Sequence, residues 1–202
     1  MLQNLGIMSP ITVAIADIIS FLDLLGNIPV QVMMKAVEML RFREKHIAYC
    51  VGQQKGILPF KMNKFIVAET KKDISKALKD VDDAYKVYIL FFDTFLTEKW
   101  NLFIVNSQSR EMEIFGCDYA IFIFQSLDQQ LRDSFQMSSA KINLHQRVQT
   151  LYDHTNYYDT GVLLFFTIYL SVHEVFICFD TSDYENMRSN IAYWLLKGNV
   201  PL

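Results

Sequence analysis

The chain has 202 residues, about one domain, and a formal net charge of −3, so it lacks the basic footprint on which nucleic-acid binding draws. Hydrophobic residues make up 51% of it and phenylalanine alone fills 16 positions, which excludes disorder as a description of the whole. Cys50, Cys117 and Cys178 stand far apart, with no C-x-x-C pair and no histidine at ligand spacing. Buried thiols in a reducing, intracellular compartment are therefore expected, and no metal site or cofactor.

No repeat, low-complexity tract or Pro/Gly/Ser-rich linker divides the sequence, so a single domain over 1–202 is expected. The apolar stretch from Ile11 to Leu25 is interrupted by Asp17 and Asp23, and the first basic residue is Lys35, so no signal peptide is predicted. The longest apolar run, Val162 to Val172, is about half the ~20 residues of a membrane span, so no membrane insertion is predicted.

In "NIPVQVMMKAVEMLRFREKH", Asn27 is the candidate cap and Pro29 falls in the first turn. Val30, Met33, Met34, Val37 and Leu40 then share one face at helical spacing, with the methionines read as core. "ETKKDISKALKDVDD" alternates charge around Ile74, Leu78 and Val81, the pattern of a short helix with a solvated face. "KVYILFF" (86–92), "WNLFIVN" (100–106) and "EMEIFG" (111–116) are short, β-branched and aromatic. Their continuous apolarity predicts strands of a sheet covered on both faces, with "NSQSRE" as a hairpin turn. "QSLDQQLRDSFQM" spaces Leu127, Leu131 and Phe135 as a helix does. "TGVLLFFTIYLSV" is apolar nearly all round, the mark of a buried central helix. "SDYENMRSNIAYWLLKGN" closes the chain as a helix, with Ser182 as cap, Glu185 three residues on and Gly198 as the stop. Helices around a compact sheet define an α+β architecture.

The motif "NYYDTGVLLFF" (156–166) supports two readings. Asp-Thr-Gly is the signature of aspartic proteases, whose site needs two such loops sharing a proton between carboxylates. This chain carries one, and a helix-length run rather than a strand follows it. The alternative, a helix start capped by Asp159 or Thr160, agrees with the helical pattern of the C-terminal half.

Taken in order, Lys-Trp, "NLFIVN", a turn, "REMEIF" and "HTNYYDTGVLLFF" resemble the ubiquitin-like protease family, the SUMO-specific cysteine peptidases. That family carries His-Trp before an apolar strand, a second strand ending in an acid, and Gln-x-Asn-x-x-Asp-Cys-Gly opening a buried helix. Trp100, Asn156, Asp159 and Gly161 match as they stand, and the resemblance runs over about 20–197. It implies a papain-like cysteine-proteinase fold with a central mixed sheet flanked by helices. Trp100 and Asn156 would lie where substrate binds, and a ubiquitin-like modifier or its conjugates would be the partner. Divergent members of this sort resemble products of plant mobile elements.

In the family, a cysteine thiolate at a helix N-terminus attacks, histidine moves the proton, an acid orients the ring and glutamine helps hold the oxyanion. Carried over by position, the nucleophile falls on Thr160, the base on Lys99, the acid on Gly116 and the glutamine on His154. Every reacting group is exchanged, so an inactive domain is expected. Asp118, two residues beyond the acid position, is the candidate substitute, and Cys117 would lie nearby. An active peptidase with a rearranged site is the alternative; Lys99 would then have to lose its proton to activate the Thr160 hydroxyl, as in Ser-Lys dyads on other folds. A third reading is a non-catalytic interaction module, using the apolar surface near the N-terminus.

Overall fold

Among the described residues nine helices and strands follow one another, and four of them form a sheet. The computed structural model describes residues 13–23, 27–55, 63–78, 84–94, 99–106, 111–116, 125, 160–173 and 184–198, the side chains of 46–55, 111–112 and 184–185 excepted.

Helix α1 (Ile15–Leu22) starts without a side-chain cap; the Ala14 carbonyl accepts from Asp17 N at 3.0 Å, and the Asp17 carboxylate lies in the favourable first turn. It buries Ile18 and Phe21 and leaves Ile15, Ile19 and Leu22 facing out. Helix α2 (Val30–Lys55) takes its first bond from Met33 N to Pro29 O at 3.0 Å. Pro29 therefore holds the cap position, where a missing N–H costs nothing, and Asn27 lies two residues outside it, not at the cap as the sequence suggested. The buried stripe is Val32, Met33, Ala36, Val37, Met39, Leu40 and Arg43, so Met34, at 39% exposed, turns away from the face expected for it.

Strand β1 (Lys64–Ala68) leads to helix α3 (Lys71–Ala77), which opens on a capping box. Asp73 N donates to Thr70 Oγ1 at 3.2 Å, and Thr70 N donates to Asp73 Oδ2 at 3.1 Å. Strands β2 (Lys86–Asp93), β3 (Lys99–Asn106) and β4 (Glu111–Phe115) follow. The order is β1-β2-β3-β4, with β1 parallel to β2 and the other pairs antiparallel, so the sheet is mixed. β1 was not foreseen: five residues that pair in parallel, far from their partner in sequence, leave little local signal.

Alternation along the strands divides the core in two. Tyr88, Leu90, Trp100, Leu102, Ile104 and Phe115 pack toward the helices, while Val87, Ile89, Phe91, Phe103, Val105 and Ile114 meet Ile66, Ile74 and Leu78 on the other face. The continuous apolar runs are thus explained by cover on both sides.

Helix α4 (Thr160–Val172) is buried from Thr160 through Ile168, as its all-round apolarity predicts. The Thr167 hydroxyl donates to Leu163 O at 2.8 Å, which satisfies it inside the core. Helix α5 (Tyr184–Lys197) ends at Gly198, whose φ of +71° is the left-handed stop expected there. Arg188, almost wholly buried on α5, donates through Nη1 to Phe21 O at 2.7 Å and stands 5.3 Å from the Phe21 ring, tying α5 to the end of α1. The helix expected around Leu127–Phe135, the cap at Ser182, the hairpin turn at 107–110 and the thiols of Cys50, Cys117 and Cys178 lie outside the described residues and side chains. No described helix is long and apolar enough to cross a membrane.

Candidate functional site

Trp100 organises the end of the sheet where β3 begins. Its side chain is fully buried, its ring lies 5.0 Å from that of Phe92, and its Nε1 donates to Ile28 O at 3.0 Å, just before α2. The start of α4 rests on the same indole. A Cβ added at Gly161 would come to 2.6 Å from Trp100 Cδ1 and 3.1 Å from Nε1, and would overlap Ile28 Cγ2. Only a residue without a side chain lets the helix approach so closely. The beginnings of α2, β3 and α4 therefore converge on one indole, and Thr160, 6% exposed, is the first residue of α4 beside that contact.

Lys99 precedes Trp100 and opens β3. The ladder sets it directly opposite Asp93, which is 3% exposed. Opposite charges facing each other across a ladder are a stabilising pair. Asn101, two residues on, shares the face of Lys99 and Phe103, is fully buried, and donates from Nδ2 to Lys99 O at 3.3 Å.

Gly116 follows the last residue of β4 and meets Asn101. The register of β3 and β4 runs from Asn106↔Glu111 to Leu102↔Phe115, so the next step of the ladder opposes residues 101 and 116. Gly116 has a φ of +151°, and a Cβ there would overlap Asn101 Oδ1, with Asn101 Cγ 3.1 Å and Asn101 Cβ 3.2 Å away.

Of the residues singled out in the sequence, Lys99, Trp100, Gly116 and Thr160 lie on elements whose ends meet here: Trp100 touches α4 through Gly161, and Gly116 touches β3 through Asn101. His154, Asn156, Asp159, Cys117 and Asp118 lie outside the described residues. Asn101 was not singled out, although one polar side chain inside the apolar run "WNLFIV" was a signal for it. Among the described residues no cluster of three metal-capable side chains forms.

Two electrostatic perturbations lie away from this end of the sheet. Burial pushes the Glu44 carboxyl of α2 up to about 7, against the lowering effect of the bond that Asn63 N donates to its Oε1 at 3.3 Å. Burial also raises the Tyr88 phenol, whose hydroxyl is 3.1 Å from Ser171 Oγ.

A mixed sheet with a buried helix whose first turn abuts the beginning of a central strand is an α+β architecture. Solved structures make the class more specific: this is the fold of the Ulp1 protease domain. SUMO protease Ulp1 with its catalytic cysteine oxidised to a sulfenic acid superposes with a TM-score of 0.61 at 14% identity, over 96% of this chain and 88% of that one. The sulfonic acid form gives 0.61 at 14% over 95% and 87%, and the Ulp1 protease domain in complex with Smt3, the yeast ortholog of SUMO, gives 0.57 at 14% over 92% and 83%. No protein-family model matches the chain, and no curated protein matches it.

Proposed function

We propose that the chain is a ubiquitin-like-protease-type domain that has lost its chemistry and acts as a non-catalytic binding module for a ubiquitin-like modifier or its conjugates. The observation that carries this reading is Thr160 as first residue of α4, against Trp100, in a fold whose solved relatives are cysteine proteases. A hydroxyl is a far weaker acid than a thiol and attacks only when a neighbouring base removes its proton. The base position is held by Lys99, so no imidazole stands there to take the proton. The acid position, Gly116, has no side chain at all. Descent from a mobile element, where lost chemistry goes unrepaired, accounts for the exchange of all these groups together.

A binding role is supported by the Ulp1 structure solved in complex with Smt3. The test is incubation with a SUMO-type modifier bearing a C-terminal electrophile, followed by titration with the unmodified modifier. No covalent adduct and saturable binding are expected. An adduct that disappears in Thr160→Ala overturns the loss of chemistry, and absence of binding overturns the module.

A further inference from the structure

We infer that Asn101 fills the volume in which the acid of a working site would begin, so that this side chain decides whether position 116 can carry a carboxylate. The inference rests on the reading of Gly116 as the former acid position.

Two independent features hold position 116 to glycine. Its φ of +151° belongs to a region that side-chain-bearing residues rarely adopt. The space a side chain would need is also taken: the first carbon would fall on Asn101 Oδ1 and lie 3.1 Å from Asn101 Cγ. Turning Asn101 about χ1 moves the amide but not its Cβ, which stays 3.2 Å away, so a rotamer change gives only partial relief. Asn101 is itself fully buried, with Nδ2 bonded to Lys99 O, and leaving this place would cost a buried amide its partner.

The two residues thus specify each other. A carboxamide from β3 stands where a carboxylate from the end of β4 would start, and restoring the acid alone collides with it. Returning a base, a thiol and an acid through Lys99→His, Thr160→Cys and Gly116→Asp is therefore insufficient, and Asn101→Ala is the required fourth change.

The steric claim is tested first, in the otherwise unaltered protein, by a double-mutant cycle of Gly116→Ala with Asn101→Ala read by thermal unfolding. Backbone strain at 116 is common to both arms and cancels, leaving the side-chain contact. Gly116→Ala should lower the midpoint clearly more with Asn101 present than with alanine there. Equal shifts in the two backgrounds overturn the inference.

The chemical consequence is tested by iodoacetamide alkylation between pH 5 and 9 in the three- and four-substitution proteins. Each unit by which the thiol pKa falls raises the thiolate fraction at pH 6 about tenfold. The four-substitution protein should alkylate at least about tenfold faster at pH 6 than the three-substitution protein. Equal rates from two folded proteins with depressed thiol pKa values overturn the inference. Coupling in the cycle, with both thiols titrating as ordinary cysteines, supports the steric claim and overturns the reading of residues 99, 116 and 160 as a former site.

Discussion

Gly161→Ala is the sharpest probe of how the candidate site is assembled, because one methyl group sets opposing effects against each other. Alanine is the better helix former by about 0.8–1 kcal/mol in a helix interior, and by less in the first turn, so local propensity favours the change. Packing opposes it. The new carbon would overlap Ile28 Cγ2 and stand 2.6 Å from Trp100 Cδ1, well inside van der Waals contact. Both neighbours are fully or almost fully buried, and they are tied together by the 3.0 Å bond from Trp100 Nε1 to Ile28 O. The methyl acts as a wedge on a joint with little room to give.

Overpacking of this kind costs about 1–3 kcal/mol, and weakening the indole bond adds about 0.5–1.5 kcal/mol. Set against the propensity gain, the net is a destabilisation of roughly 1–3 kcal/mol. For a chain of this length that lowers Tm by roughly 2–4 °C per kcal/mol. Urea unfolding measures the loss, and indole fluorescence in a Trp194→Phe background reports on Trp100 alone. Gly198→Ala is the control: its φ of +71° makes alanine strained, but nothing lies within 4 Å of the added carbon, so stability falls while Trp100 emission stays unchanged. A Gly161→Ala protein as stable as the parent, with unaltered emission, would refute the placement of α4 on Trp100.

Glu44 predicts a pH dependence. Its folded-state value of about 7 lies above the ordinary 4.5, so the folded protein holds this proton more tightly than the unfolded chain. The stability it contributes is complete below pH 4.5 and is lost as pH rises to about 7. Glu44→Gln keeps an acceptor for Asn63 N and should remove this slope. Urea titrations at pH 5 and pH 8 should show the variant gaining on the parent at the higher pH, and an equal difference at both would contradict the assignment. Arg188→Met should cost roughly 2–3 kcal/mol through the lost charged donor to Phe21 O. Hydrogen exchange should show α1 amides losing protection more than those of β2 and β3; uniform loss would count against the tie between α1 and α5.

What could be read from the sequence followed from how local each signal is. Strands β2 and β3 announced themselves because both their faces are buried, and α4 because every side of it is. Gly198 was legible as a stop, since a left-handed residue after a helix has few alternatives to glycine. β1 was missed because its strand character comes from parallel pairing with β2, a partner some twenty residues away. The start of α2 was assigned two residues too early, with Asn27 as cap in place of Pro29, and only the Met33–Pro29 bond fixes its register. At the candidate site, Trp100 and Gly161 were found through the family resemblance. The Asn101–Gly116 contact was not, because it joins two strand ends and depends on a backbone angle that no composition encodes.

The residues that carried the family resemblance divide by what the fold demands of them. Trp100 and Gly161 form one joint: the indole fills the space beneath α4, and any side chain at 161 would collide with it. A chain with this architecture needs that pair for packing alone, whether or not it catalyses anything. Lys99 and Thr160 sit beside this joint, Lys99 opposite Asp93 on the ladder and Thr160 buried at the start of α4. Gly116 is held to glycine by its φ of +151° and by Asn101, which occupies the space a side chain would need. The matching residues are therefore evidence for fold, and the exchanged ones are evidence about chemistry. Under the proposed function, the fold would be kept by the first set and the chemistry changed by the second.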